Sequence, residues 1–192
     1  MGVVSPADMK MAALGASKYA RVERERRFLL RGLPPGLELK AEHAQITDNY
    51  ITGTRLRLRK YRWVPTNEWT LKLTKKETPA PPDFTRTVMT TIYLGQYEYE
   101  VFSVFEANEL RKNRYPYEHE GRTYSVDVFL GALRGLITAE TDFDTDEEMD
   151  AFPLPPFAHA DVSRDELFTG ASLVGLTAED IRRELARRGG EG

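Results

Sequence analysis

The stretch Arg55-Leu56-Arg57-Leu58-Arg59 alternates strictly between arginine and leucine. Consecutive side chains of a strand point to opposite faces of a sheet, so this pattern predicts a strand with guanidinium groups on one face and leucines on the other. Similar alternation of charged and apolar residues recurs along the chain. It predicts eight strands, at residues 21–30, 44–51, 54–62, 68–75, 84–94, 110–117, 122–130 and 136–143.

Three helices are predicted between and after these strands. One covers Gln96–Asn108, where apolar residues recur close to helical spacing, and a short one starts at Thr145 with a capping box. The third covers Thr177–Arg188 and ends before a Gly-Gly pair. Eight largely antiparallel strands in 192 residues favour an α+β fold, in which the sheet closes into a barrel or forms two packed layers with helices outside.

Composition limits what the chain can do. It has 27 Lys+Arg against 30 Asp+Glu, so its formal net charge of -3 argues against a nucleic-acid-binding coat. Cysteine is absent, which excludes disulfides, thiolate zinc sites and a cysteine nucleophile, and fits a cytoplasmic protein. The apolar stretch Met11–Ala16 is too short for a signal-peptide core or a membrane span. We therefore expect no membrane partner, and we treat residues 1–17 as an N-terminal extension.

The charges on the predicted strands are sorted by sign. Acidic residues share a face of the first and last strands, whereas basic residues share a face of the third, fourth and sixth. A sandwich with its charged residues in water remains an alternative, but a solvated sheet face usually mixes signs because like charges on neighbouring strands repel. If a barrel closes with these faces inward, its lumen holds Arg57, Arg59, Lys72, Arg86, Lys112 and Arg114 on one part and Glu23, Glu25, Asp127, Glu140 and Asp142 on another.

Such a lumen fits a polyphosphate with a divalent cation. Guanidinium and ammonium groups bind phosphate oxygens, and carboxylates are hard ligands for Mg²⁺ or Mn²⁺. Phosphoryl transfer needs positioning and charge neutralisation more than covalent help, so the site requires no serine or cysteine nucleophile.

The first strand carries a recognisable motif. Glu23-Arg24-Glu25-Arg26-Arg27 resembles the Glu-x-Glu-x-Lys motif of the CYTH domain, or triphosphate tunnel metalloenzyme, superfamily, with Arg27 in the Lys position. Later segments follow in the order typical of that family, namely Arg57-Leu58-Arg59, Thr70-Leu71-Lys72, Lys112-Asn113-Arg114, Val126-Asp127-Val128 and Glu140-Thr141-Asp142. The resemblance spans about residues 19 to 175. It divides the chain into a CYTH-like domain at 18–175 and a C-terminal helix and tail at 176–192.

The resemblance implies an eight-stranded antiparallel tunnel that hydrolyses triphosphate compounds with Mg²⁺ or Mn²⁺. The chain is most similar to the bacterial tripolyphosphatase branch, so the expected substrate is inorganic tripolyphosphate or a small organic triphosphate. Glu23, Glu25, Glu140 and Asp142 would then hold the metal or position the attacking water, with Asp127 as a further lumen ligand. Arg27 would lie near that water or the terminal phosphate. The six basic lumen residues would bind phosphate oxygens, and the free outer faces allow a homodimer.

Departures from the family pattern leave two alternatives open. Arg27 cannot handle a proton as lysine can, and Val88 and Thr90 stand where the fifth strand of the family commonly has carboxylates after an arginine. Asp48 stands where a glutamine is frequent. A non-catalytic binder of polyphosphate or nucleotide is therefore the second hypothesis, and cyclisation of ATP in the same tunnel, as in class IV adenylyl cyclases, is the third.

Overall fold

The computed structural model describes residues 20–79 and 83–189, so the predicted extension at 1–17 lies outside the described residues. Its strands are β1 (Arg21–Leu29), β2 (Ala44–Ile51), β3 (Leu56–Trp63), β4 (Glu68–Glu77), β5 (Arg86–Leu94), β6 (Ala107–His119), β7 (Arg122–Phe129), β8 (Ile137–Asp142) and β9 (Ala160–Asp161). All eight predicted strands are present, with ends shifted by three residues at most. The two-residue β9 was not predicted.

The sheet closes on itself. Its order is β5-β4-β3-β2-β6-β7-β8-β1, and β1 pairs again with β5. The first half of β1 pairs with β5, from Arg21 opposite Met89 to Arg24 opposite Arg86, and its second half pairs with β8, from Glu25 opposite Asp142. All of these pairings are antiparallel. The predicted eight-stranded antiparallel barrel with flanking helices is confirmed, and β9 pairs with the C-terminal end of β1 at Phe28 and Leu29.

The helices are α1 (Gln96–Ser103), α2 (Asp146–Ala151), α3 (Gly170–Leu173) and α4 (Ala178–Gly189), with short 3-10 turns at Gly131–Leu133 and Glu166–Phe168. The prediction that the first helix reaches Asn108 is wrong, because β6 already begins at Ala107, which pairs with Ile51 of β2. The predicted cap at Thr145 is present, since its hydroxyl accepts the backbone N–H of Glu148. Nowhere in residues 20–79 and 83–189 is a helix long and apolar enough to cross a membrane.

Two of the three hydrophobic clusters lie outside the barrel wall, and the third closes its lumen at one end. One cluster packs α1 onto β3 and β4, and a second covers β1, β6, β7 and β8 from outside. A third closes one end of the barrel and includes Leu110, Phe129, Phe168, Leu173 and Ile181. Ile181 belongs to α4, so this helix shares its core with the barrel, and the division after residue 175 stays a prediction. Packing the apolar side chains outside leaves the lumen to the charged faces of the strands.

Candidate active site

The barrel encloses a cavity of about 330 Å³. Side chains from every barrel strand line it, together with the C-terminal segment from Glu166 to Leu173. Its cationic lining residues are Arg27, Arg55, Arg57, Arg59, Lys76, Lys112 and Arg114. Its carboxylates are Glu23, Glu25, Asp48, Glu140 and Glu166. The charged faces of β1, β3, β6 and β8 therefore point into the barrel, and the alternative of a sandwich with these faces in water is wrong.

We call Arg57, Arg59, Lys112 and Arg114 the basic wall, and Asp48 of β2 lies between its two strands. Arg59 donates from Nε and Nη2 to the two carboxylate oxygens of Asp48, at 2.6 and 2.7 Å. Burial alone would raise the pKa of Asp48, but Arg59 and Arg57 outweigh it and hold the pKa well below its usual range. Asp48 is therefore a permanent counter-ion within the wall.

Asp127 of β7 balances the other half of the basic wall. It is fully buried, accepts from Lys112, and accepts from Nε and Nη2 of Arg114 at 2.7 and 2.6 Å. Burial, together with Arg114, lowers the pKa of Lys112, and Asp127 opposes this only in part. The predicted ligand Asp127 thus has its two oxygens engaged by cations.

We call Glu23, Glu25 and Asp142 the acidic wall. Each has a carboxylate oxygen within 4.8 Å of those of the other two. Burial first, then Glu140 and Glu23, raises the pKa of Glu25 to about 7, against the opposing effect of Arg27. Burial, Glu23 and Glu140 likewise raise the pKa of Asp142. At Glu25, burial and repulsion from the other carboxylates thus outweigh the opposing effects of Arg27 and Lys76.

A divalent cation fits the acidic wall. Three carboxylates that converge without a central cation offer hard oxygen ligands, and Mg²⁺ and Mn²⁺ prefer such ligands. Burial first and then repulsion from Glu140 and Glu23 raise the pKa of Glu25, and a metal ion would offset that repulsion in place of a proton. Of the five predicted ligands, the structure brings three together.

The predicted ligand Glu140 and the predicted catalytic residue Arg27 bind each other. Arg27 donates from Nε to Glu140 at 2.9 Å, also donates to Glu25, and donates from Nη1 to the carbonyl of Phe168 at 2.9 Å. Glu140 in turn accepts from Arg114. Burial would raise the pKa of Glu140, but Arg114, Lys112 and Arg27 hold it well below its usual range. This pair joins the acidic wall to the basic wall and to the C-terminal segment.

Two buried polar groups of the cavity lining have no hydrogen-bond partner within the described part of the chain. They are Nε of Arg57 and the hydroxyl of Thr138. Buried polar groups are nearly always hydrogen-bonded, so an orphaned donor in a cavity wall indicates a position that a ligand completes. A phosphate oxygen would accept from Arg57.

Comparisons with known proteins agree with this geometry. No protein-family profile matches the chain. It is 35% identical over 89 residues to the inorganic triphosphatase of Acetivibrio thermocellus. The aligned region covers 41% of this chain and 55% of the relative, so the chain spans about half of that relative's length. It is 26% identical over 163 residues to the inorganic triphosphatase of Nitrosomonas europaea, across 79% of this chain and 96% of the relative. The crystal structure of the inorganic triphosphatase NE1496 matches with a TM-score of 0.53 at 23% identity, over 79% of this chain and 93% of that one. The resemblance to the CYTH superfamily is confirmed.

Two predicted phosphate ligands, Lys72 and Arg86, are not among the described residues that line the cavity. Lys72 is the partner of Arg59 on β4 and shares its inward face, but its Nζ lies 5.0 Å from the ring centre of Tyr93. Arg86 pairs with Arg24, on the face of β1 opposite to Glu23 and Glu25, and binds Asp83, Asp146 and Asp150. The prediction that Arg86 points into the lumen is corrected by this register, in which Thr87 is the inward residue.

The same register changes how two departures from the CYTH pattern are interpreted. Val88 pairs with Val22 and shares the outward face of Arg86, and Thr90 follows at the same alternation. Their lack of a carboxylate therefore removes no charge from this lumen. The reason to expect a non-catalytic binder becomes weaker.

Other residues of the cavity lining were not predicted as site residues. Lys76 donates to Glu23 at 2.9 Å, and its signal was present, because it continues the alternation of Lys72 and Thr74. Asp48 is one acid on a strand without other charges, which gives no pattern. The segment from Glu166 to Leu173 carries no period at all, and tertiary packing alone brings it over the barrel end.

Proposed function

We propose that this protein is a divalent-metal-dependent hydrolase of triphosphate compounds, preferably inorganic tripolyphosphate or a small organic triphosphate. The observation that carries the proposal is the pair of opposed walls in one cavity, cationic on β3 and β6 and acidic on β1 and β8. The two relatives named inorganic triphosphatase support it.

The basic wall binds the phosphate chain. Guanidinium groups match phosphate oxygens in pairs, and the unpartnered Nε of Arg57 is ready to donate. Arg55 and Lys76, whose side chains are 62% and 35% exposed, lie where a polyanion first meets the site and attract it electrostatically. Together these residues hold the chain of phosphates in one orientation.

The acidic wall holds Mg²⁺ or Mn²⁺ through Glu23, Glu25 and Asp142. When bound, such a cation neutralises charge on the phosphates and lowers the pKa of water. Arg27 stays cationic, because Glu25 and Glu140 outweigh the effect of burial and raise its pKa. Arg27 is therefore a hydrogen-bond donor to a phosphate or to the attacking water, and not a base.

The test is a screen of phosphate release from tripolyphosphate, ATP and thiamine triphosphate, with and without Mg²⁺ and Mn²⁺. We expect metal-dependent release that falls by at least about 100-fold in Glu25→Gln, because a ligand and its charge are lost. Glu109→Gln, at an exposed site whose side chain is 53% accessible, is the control and should behave as wild type. If wild type with metal releases no more phosphate than Glu25→Gln from any substrate, the enzyme proposal is wrong, and tight binding without turnover would favour the non-catalytic binder.

Three further expectations belong to the proposal. They are a cytoplasmic location, the absence of a nucleic-acid or membrane partner, and a homodimer built on the outer faces. The choice between Mg²⁺ and Mn²⁺ is decided by the screen above.

A further inference from the structure

The basic wall contains a carboxylate that a phosphate site would not be expected to need. Asp48 is 1% exposed and faces the cavity, where a polyanion would bind. A carboxylate beside a polyanion repels it and weakens its binding, so we expect Asp48 to have another role in the site. Its contacts show what that is.

Asp48 occupies one edge of the Arg59 guanidinium. Nε and Nη2 of Arg59 both donate to it, so the fork that a guanidinium normally offers side-on to phosphate is already in use. Arg59 can meet a ligand only through its remaining N–H groups. The planar pairing also fixes the direction in which those groups point, because the guanidinium cannot rotate without breaking two charge-assisted hydrogen bonds.

Arg57 is in a different state. Its Nε lies 3.6 Å from Asp48, beyond hydrogen-bonding distance, and it is buried in the cavity wall without an acceptor. Asp48 therefore attracts Arg57 by charge without accepting from its Nε–H, and the Arg57 side chain also contacts Tyr50. One carboxylate thus treats two neighbouring arginines differently.

We propose that Asp48 is a positioning residue that assigns the two arginines separate tasks. It holds the guanidinium of Arg59 so that only the N–H groups at its far end can reach the ligand. It leaves the Nε edge of Arg57 to donate to a phosphate oxygen. This inference rests on the proposed function, since it names how the same site grips its triphosphate.

The first experiment compares Asp48→Asn with wild type, using inorganic tripolyphosphate and metal, and reads KM, kcat and thermal stability separately. Losing this hold on Arg59 weakens the grip on ground state and transition state alike, so KM should rise about 10-fold while kcat changes little. If the charge of Asp48 only repelled substrate, KM would fall instead. If its role were only structural, stability would drop and the folded enzyme would keep the wild-type KM. Either of these two results overturns the proposal.

The second experiment does not depend on how Asp48→Asn folds. Lysine cannot make a side-on, two-pronged contact, so Arg57→Lys should raise KM by at least about 10-fold, and clearly more than Arg59→Lys, which retains an ion pair with Asp48. An equal or larger effect of Arg59→Lys overturns the assignment. A wild type that neither binds nor hydrolyses tripolyphosphate would instead contradict the proposed function, so the two failures are distinguishable.

Discussion

The two walls of the tunnel carry opposite charge, and they differ in how that charge is balanced. The cations of the basic wall have buried counter-ions from the chain itself, since Asp48 pairs with Arg59 and Asp127 pairs with Lys112 and Arg114. On the acidic wall three carboxylates converge, and Arg27 and Lys76 do not prevent the pKa of Glu25 from rising to about 7. Carboxylates of the chain thus bind Arg59, Lys112 and Arg114 directly, whereas Arg27 and Lys76 balance the carboxylates of the acidic wall only in part.

The largest effect is expected from breaking the balance of the basic wall. Asp127→Asn removes the carboxylate that Lys112 and Arg114 share and leaves Glu140 as the carboxylate on Arg114, which should cost about 3–5 kcal/mol of folding free energy. Urea unfolding followed by circular dichroism at pH 7 measures it. The matched control is Asp144→Asn at an exposed position, where we expect almost no change. A loss below about 1 kcal/mol for Asp127→Asn would show that the wall is balanced in another way.

The second test uses pH on the other counter-ion of that wall. The folded pKa of Asp48 lies below its unfolded value, so its stabilising effect is complete above the unfolded pKa and is lost as pH falls through the folded pKa. Wild type should therefore exceed Asp48→Asn by about 3 kcal/mol at pH 7, with a gap that is constant down to pH 5 and shrinks below about pH 4. Unfolding free energies at several pH values measure the gap. A gap that persists unchanged to pH 2 would mean that ionisation of Asp48 does not contribute.

The sequence predicted the fold well because the alternation of side chains is a local property. Arg57 and Leu58 differ in face whatever the rest of the chain does, and eight such runs favour a barrel or two packed layers. The sorting of charge by strand and the resemblance to the CYTH family then favoured the barrel. The end of α1 was missed for the opposite reason. Val104 and Phe105 continue the helical spacing, but pairing of Ala107 with β2 is a tertiary interaction that ends the helix first.

The site was predictable only on strands whose charge pattern indicates which residues lie on which face. The acidic and basic faces of β1, β3, β6 and β8 follow from their alternation. On β5 the run from Arg86 to Thr91 has no alternation of charged and apolar residues, so the pattern does not indicate which residues face the lumen. The prediction put Arg86 on the wrong face for this reason. The pairing of Asp48 with Arg59 depends on which strands are neighbours in the barrel, which no local pattern contains.

Metal addition tests the acidic wall directly. At about 100 times its dissociation constant, a cation that binds only the folded state should stabilise wild type by about 2.7 kcal/mol. Thermal unfolding with EDTA and with Mn²⁺ or Mg²⁺ measures it, and the shift should disappear in Glu23→Gln. The control Glu118→Gln, which changes an exposed carboxylate, should keep the shift. If Glu23→Gln keeps it as well, the cation binds elsewhere.

The smallest effect is expected from Asp142→Asn, whose change in stability should have the opposite sign to that of Asp127→Asn when no metal is present. Asp142→Asn removes a charge that faces Glu23 and Glu25, so in EDTA it should relieve repulsion and stabilise the protein by less than about 1 kcal/mol, since Asp142 is exposed. With saturating Mn²⁺ wild type should become the more stable protein, because the variant has lost a ligand. Both comparisons are read from the same thermal unfolding curves as above. Destabilisation by Asp142→Asn in EDTA, as for Asp127→Asn, would mean that the chain balances both walls internally and that the acidic wall does not call for a metal ion.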